Sequence, residues 1–208
     1  MNSTINVDPD LLLLLVASLY ILVFGGLSFL RREGLSLQFA IEVIIITAVV
    51  LGLRRLANIP ISPILLLILL YLITMRSRLV VDVANLLAER GKYKAAFSLY
   101  RLGLAWWPDA SSRLIVLTNR GAAELFSGQA ETAMQTLENV LAAENRPRLG
   151  LKYEAACRYN LGQAYAKKGD RGKAVQQLNE VLDLMPSSRY AQAAKATLKR
   201  WKETGAED

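Results

Sequence analysis

The chain contains a run of twenty apolar or small residues at positions 11–30, "LLLLLVASLYILVFGGLSFL", which restricts its possible folds more than any other feature. A helix of this length rises about 30 Å, the thickness of the hydrocarbon core of a bilayer. Asp8 and Pro9 are typical of a helix start, and Arg31 follows the run directly. No positive residue precedes the run, and it is longer than the apolar part of a signal peptide, so we predict a membrane anchor.

Two more apolar segments follow. Residues 35–53 form a run of nineteen, whose length without polar alternation favours a membrane helix over a strand. A third span is predicted at residues 62–77, where Ser62 and Pro63 form a helix start signal before a run of twelve. That run is short for a full crossing, so the segment is either a third span with its lead-in in the headgroup layer or only partly inserted. We favour three spans, and therefore a multi-pass integral membrane protein.

The positive residues between the spans predict their orientation. If the N-terminus lies outside, the inner side of the membrane has four arginines, Arg31, Arg32, Arg76 and Arg78. The outer side then has two, Arg54 and Arg55. We therefore predict that the N-terminus lies outside and that the C-terminal half lies in the cytoplasm.

One acidic residue, Glu42, lies within the second predicted span. An ionisable residue inside a membrane suggests a functional role by default. The hairpin would place Arg31 and Arg32 near Glu42, so a structural ion pair is one interpretation and an ion or proton pathway is the other. A pathway would need several such groups, and the other spans have none, so we favour the ion pair.

Residues 79–208 have the composition of a soluble helical domain. They carry nineteen Lys or Arg and fourteen Asp or Glu, in a chain with a net charge of +7. These charges are scattered rather than gathered into a basic stripe, so we expect no nucleic-acid partner. A basic module held beside an anionic leaflet is the simpler interpretation.

Residues typical of catalytic and metal sites are scarce. The chain has no histidine and one cysteine, Cys157. The usual general base and metal ligand are therefore missing, and a lone cysteine cannot form an internal disulfide. No phosphate-binding, metalloprotease or hydrolase motif occurs. We expect no enzyme, no cofactor and no small-molecule substrate, and we interpret Cys157 as an inert packing residue.

Residues 159–174, "YNLGQAYAKKGDRGKA", begin a regular pattern of small and large residues. Its members continue to a proline and are Leu161, Gly162, Tyr165, Gly169, Ala174, Leu178, Val181 and Pro186. This spacing resembles the 34-residue tetratricopeptide repeat, a helix-turn-helix unit. The resemblance implies close crossing of helices A and B at the small residues and a turn at Gly169.

The same frame finds two earlier copies. The first contains Gly91, Ala96, Tyr100, Gly103 and Pro108, and the second contains Gly121, Gly128, Ala133, Leu137 and Val140. The resemblance therefore implies an all-α fold, in which three transmembrane helices at 1–78 precede a short α-solenoid at 79–203. Its predicted parts are repeats at 77–110, 114–147 and 155–186, a capping helix at 187–203, and a disordered tail at 204–208. Because residues 64–90 contain no Pro or Gly, we hypothesise one continuous helix from Pro63 to Arg90.

Members of this family bind peptides or partner helices on the concave face lined by their A helices. Carried onto this chain, that face predicts seven partner-binding residues: Asn85, Asn119, Phe126, Tyr159, Asn160, Gln163 and Lys167. The alternative is that the asparagines bond a neighbouring helix. The carboxylate clamp of chaperone-binding members is not expected, because its basic positions are Val81, Ala156 and Asn160 here.

Trp106 and Trp107 end the first predicted repeat. Either one of them packs between repeats, or both lie in the headgroup layer, which tryptophan prefers. Two functional classes remain open. The first is a membrane-anchored interaction scaffold that presents a groove to a protein or peptide and contacts the lipid bilayer. The second is an integral subunit whose spans carry the contacts to a larger complex.

Overall fold

The computed structural model describes residues 8–33, 36–142 and 149–204, and within them every element is a helix. In chain order the helices are α1 Pro9–Leu30, α2 Leu37–Ala57, α3 Pro63–Thr74, α4 Arg76–Glu89, α5 Tyr93–Ala105, α6 Ala110–Phe126, α7 Ala130–Leu141, α8 Leu151–Lys167, α9 Arg171–Leu184 and α10 Arg189–Thr204. The all-α fold class is confirmed, with apolar N-terminal helices followed by a helical-repeat region. The predicted disordered tail lies, apart from residue 204, outside the described residues.

Helices α1, α2 and α3 pack together into a bundle with one narrow buried seam. The seam consists of Leu13, Ala17, Tyr20, Val43, Val50, Leu66 and Leu70. Most other apolar side chains of these helices are exposed on the outside of the bundle. Helices α1 and α2 are each long and apolar enough to cross a membrane. An outward-facing apolar surface of this kind suits lipid rather than water.

The predicted start signals at Asp8 and Ser62 cap their helices, and Ser36, which was not predicted as a cap, does the same for α2. The side chains of Asp8, Ser36 and Ser62 accept hydrogen bonds from backbone amides of the first turns of α1, α2 and α3. At the end of the bundle far from the repeats, Asp10 forms ion pairs with Arg54 and Arg55 of α2. The N-terminus of α1 therefore lies beside the C-terminus of α2, so these two helices are antiparallel.

The hypothesis of one continuous helix from Pro63 to Arg90 is wrong. The chain bends by 65° between α3 and α4. At the break, the Arg76 guanidinium donates to the Ile73 carbonyl at 2.7 Å and to the Glu42 carboxylate of α2 at 2.7 and 2.9 Å. The bend is therefore held by a side chain that satisfies a carbonyl near the break, a recognised cause of kinks. Alone, α3 rises only about 18 Å; it forms a candidate third span only together with α4.

Three helical hairpins follow, α4–α5, α6–α7 and α8–α9. Each turn contains a glycine with a left-handed backbone, and the φ angles of Gly91, Gly128 and Gly169 are 72°, 89° and 84°. In each turn, the amide after the glycine donates to the carbonyl five residues back, as Lys92 to Leu87, Gln129 to Glu124 and Asp170 to Tyr165, at 2.9, 2.9 and 3.0 Å. This closure, of the Schellman type, recurs at the predicted glycine positions and confirms three helix-turn-helix units.

The two helices of each repeat cross where the sequence has a small residue. A Cβ atom added to Gly121 would lie 2.7 Å from Leu137, and one added to Gly162 would lie 3.1 Å from Leu178. The corresponding residue of the first repeat, Ala84, is fully buried. Helix α10 then covers the last repeat, where Ala191 and Ala194 pack on Leu178 and Val181. This arrangement is that of a short solenoid with a capping helix.

Candidate functional site

A concave groove runs across the repeats. Residues of α4, α6 and α8 line it, together with two tyrosines of α5 and the beginning of α10, and its volume is about 680 Å³. Six aromatic side chains contribute to the lining, which are Tyr93, Tyr100, Phe126, Tyr153, Tyr159 and Tyr190. The volume falls within the range of about 300–1,000 Å³ that is usual for ligand sites.

Five of the seven predicted partner-binding residues lie in the groove lining, namely Asn85, Asn119, Phe126, Tyr159 and Asn160. The other two lie further along α8 and contact other helices. Gln163 donates to the Thr197 hydroxyl of α10 at 3.5 Å, and Lys167 donates to the Leu125 carbonyl of α6 at 3.2 Å. A partner-binding role stays a prediction for all seven.

Asn85 and Asn119 form a hydrogen-bonded ladder between the first two repeats. The Tyr100 hydroxyl donates to the Asn85 amide oxygen at 2.7 Å, and the Asn85 amide nitrogen donates to the Asn119 oxygen at 3.1 Å. The Asn119 nitrogen in turn donates to the Ile115 carbonyl at 2.8 Å. These asparagines therefore bond a neighbouring helix, which fixes their orientation on the groove floor. Burial raises the pKa of the Tyr100 hydroxyl, which keeps it protonated and able to donate.

Asn160 differs from the other two asparagines. Its side chain is only 7 % exposed, lines the groove, and has no hydrogen-bond partner among the described residues. Its amide oxygen and nitrogen are not among the buried side-chain atoms that lack a partner, so they are open to the groove, where water can bind them. A ligand that offers a donor and an acceptor at this point would replace that water.

Aromatic rings form the side of the groove next to Asn160. The Tyr159 and Tyr190 rings lie 5.8 Å apart between centroids, and Phe126 stands 64 % exposed in the lining. Burial raises the pKa of both Tyr153 and Tyr159, so their hydroxyls remain hydrogen-bond donors near neutral pH. Such rings offer large contact area with a polar tip, a composition typical of protein interfaces.

The charges of the groove are divided between its walls. Asp82 and Glu89 lie on α4, where the basic Arg78 is paired with Glu33. Lys152 and Arg189 lie on α8 and α10. Arg189 donates to the Tyr190 hydroxyl at 2.9 Å, and that bond and the nearby Glu89 carboxylate raise the pKa of Arg189. An acidic wall facing a basic wall favours a ligand that carries both signs of charge.

The segment that follows α1 contacts one end of the groove lining, which the sequence did not reveal. Glu33 is 3 % exposed, and its carboxylate accepts from Arg78 of the groove lining at 2.7 Å. Its backbone carbonyl accepts from the Ser111 hydroxyl at 2.7 Å. The expected pairing of Glu42 with Arg31 or Arg32 is wrong, because Glu42 pairs with Arg76 instead. Nothing local in the sequence indicates these contacts, since 34 to 78 residues separate the partners.

Comparison with known proteins gives one match. Residues 155–188, which contain most of α8 and all of α9, match the family model of the tetratricopeptide repeat. No curated protein and no solved structure matches the chain. The matched residues coincide with the clearest of the three copies in the sequence.

Proposed function

We propose that the chain, whose residues 155–188 match the tetratricopeptide repeat, is a membrane-anchored protein-interaction scaffold. Its groove holds an extended segment of a partner protein close to the bilayer. The observation that carries this proposal is the amide of Asn160, which forms no hydrogen bond to the described residues and opens into a groove lined by aromatic rings. An extended peptide supplies both a backbone donor and a backbone acceptor, which is what such an amide requires.

The chemistry of the groove narrows the class of partner. A basic side chain of the ligand would face Asp82 and Glu89, and an acidic one would face Lys152 and Arg189. Aromatic or aliphatic side chains would pack on the tyrosines and on Phe126. The partner is therefore a protein segment of mixed charge with apolar anchors, and no catalytic step is needed.

The exposed apolar faces of α1, α2 and α3 support anchoring in a lipid bilayer. Arginines at the two ends of the bundle support the orientation. Arg31, Arg32, Arg76 and Arg78 lie at the end next to the repeats, whereas Arg54 and Arg55 lie at the opposite end, where Asp10 binds them. By the positive-inside rule the repeats lie in the cytoplasm and the N-terminus lies outside.

Site-specific crosslinking in native membranes tests the proposal. A photo-crosslinking residue at Phe126 should capture a partner, whereas the same residue at Gln135, exposed on α7 outside the groove, should not. The partner segment should then bind the purified full chain, and Asn160→Leu should weaken that binding about tenfold by removing the amide. Equal capture at both positions, or unchanged binding by the Asn160 variant, would refute the groove as the site.

The outward apolar faces of the bundle also favour a second candidate, an integral subunit whose spans contact other membrane proteins. Replacing α1 and α2 by unrelated spans of equal length distinguishes the two. Partner association should survive the replacement if the groove carries it, and should be lost if the spans do.

A further inference from the structure

The connection from α5 to α6 displays two tryptophans to the outside. The side chain of Trp106 is 45 % exposed and that of Trp107 is 84 % exposed. The third tryptophan of the chain, Trp201, is instead packed against the core of the last repeat and α10. Large aromatic side chains left this exposed on a repeat surface indicate an environment other than water. Indole rings are enriched at membrane–water interfaces, where one edge is apolar and the N–H is hydrated.

Backbone hydrogen bonds hold this pair at the first turn of α2. Arg76 donates to the Trp106 carbonyl at 2.9 Å and to the Trp107 carbonyl at 2.8 Å. Gln38, the second residue of α2, also donates to the Trp107 carbonyl, at 2.9 Å. The tryptophan backbone therefore lies level with the point where the apolar surface of the bundle begins.

The backbone at Trp107 is itself unusual. Its φ angle of 44° is in the left-handed region, which a bulky residue rarely adopts. Strain of this kind persists where the surroundings over-determine it, and it tends to mark functional positions. Here the surroundings are Gln38 and Arg76, and Arg76 is itself fixed by its bidentate pair with Glu42. The donors of this polar cluster thus fix the backbone that carries the exposed indole ring.

We propose that Trp106 and Trp107 insert their rings into the interfacial layer of the lipid bilayer and form a second membrane contact made by the repeats. The contact rests on the membrane anchoring proposed above. It would prevent the repeats from swinging about the bend at Met75, and it would hold the groove at a fixed tilt to the bilayer.

Depth-dependent quenching of tryptophan fluorescence tests this contact. The full chain would be reconstituted into phosphatidylcholine vesicles whose acyl chains are brominated near the carbonyl end. A Trp201→Phe variant reports only on Trp106 and Trp107, and a Trp106→Phe/Trp107→Phe variant reports only on Trp201. The brominated lipid should quench the first variant about twofold more strongly than the second, with a blue-shifted emission, because only the first has rings in the interface.

Three other results would each refute the proposed contact between the tryptophans and the lipid. If both variants float with the vesicles and are quenched equally, the tryptophans do not reach the lipid, while the anchoring stands. If the rings are shielded only in native membranes and not in pure lipid vesicles, their partner is a protein. If the chain does not float with the vesicles, the anchoring fails and the tryptophan contact fails with it.

Discussion

Single residues decide how closely the helices of each repeat approach. Gly121 and Gly162 occupy equivalent crossing points, and at both of them the space for a Cβ atom is already filled by a leucine of the facing helix. The hydrogen bonding of the groove asparagines also differs from one repeat to the next. Asn85 and Asn119 bond each other, whereas Asn160, in the next repeat, has no partner among the described residues. The residue type was predictable from the repeat pattern, but its bonding was not, because that depends on side chains from other helices.

We expect Gly121→Ala to destabilise the chain by about 1–3 kcal/mol, because the added methyl group would overpack a fully buried leucine. The clash is with Leu137, whose Cγ and Cδ2 atoms would both lie 2.7 Å from the added Cβ atom. Gly172→Ala on α9 is the matched control, since its Cβ meets only the Asp170 carboxylate at 3.9 Å. The control should stabilise by about 0.5–1 kcal/mol through helix propensity alone. Thermal unfolding in detergent measures both, and equal effects would contradict the close crossing.

Cys157 should resist alkylation in the folded chain. Burial raises the pKa of its thiol from 9.0 to about 12, so the reactive thiolate is scarce at about pH 8. Because the folded-state pKa is raised, the protonated thiol favours folding below about pH 9, and this contribution declines as the pH rises towards about 12. Iodoacetamide labelling followed by mass spectrometry should show modification only after denaturation. Rapid labelling of the native chain at about pH 8 would contradict the buried position.

The elements of this chain divide into those that local sequence specifies and those that distant contacts specify. The turns at Gly91, Gly128 and Gly169 were predictable, because a left-handed residue after a helix favours glycine wherever the helix ends. The break between α3 and α4 was not predictable, because residues 64–90 contain no helix breaker. Its cause is Arg76, whose partners lie on α2 and at the end of α5.

We expect Glu42→Ala to loosen the junction between the bundle and the repeats. The variant leaves Arg76 without its carboxylate partner, which should cost about 1–3 kcal/mol for a partly buried pair. Double electron–electron resonance between spin labels at Leu56 and Gln135 should show a broader distribution of distances in the variant than in the unaltered chain. Glu203→Gln is the control, because its pair with Lys199 is 3.7 Å long and exposed on both sides. An unchanged distribution in the Glu42 variant would show that the bend is held by other contacts.

At the scale of the whole molecule, the segment that follows α1 joins the bundle to all three repeats. Glu33 reaches Arg78 of the first repeat and Ser111 of the second, and it lies against Gly150 directly before the third. The groove and the bundle are therefore one structural unit at this end. The contact of Glu33 with the groove could not be predicted from the sequence. The repeat pattern predicted five residues that lie in the groove lining, but a repeat pattern cannot predict contacts from a segment outside the repeats.

Substitution of Gly150 should destabilise the chain because Glu33 packs against it. An added Cβ atom would lie 2.8 Å from the Glu33 Cγ atom and 3.2 Å from the Arg31 carbonyl oxygen. Gly128 is a partial control, since its φ of 89° is close to the 82° of Gly150 and nothing lies within 4 Å of its Cβ position. Gly150 also has a ψ of 138°, which lies outside the left-handed helical region. Both Gly→Ala variants should lose at least about 1 kcal/mol to backbone strain, and Gly150→Ala should lose more, because of both its ψ angle and its contact with Glu33.

A double-mutant cycle tests whether Glu33 causes the larger loss of stability in Gly150→Ala than in Gly128→Ala. In a Glu33→Ala background the Cγ atom is absent, so the two glycine variants should differ by less than they do in the unaltered chain. Thermal unfolding of the full chain in detergent gives the four free energies, and hydrogen exchange over residues 151–155 reports locally on the start of α8. If the excess persists in full without the Glu33 side chain, it comes from the backbone of Gly150 or from the Arg31 carbonyl, and the Glu33 side chain does not constrain the start of α8.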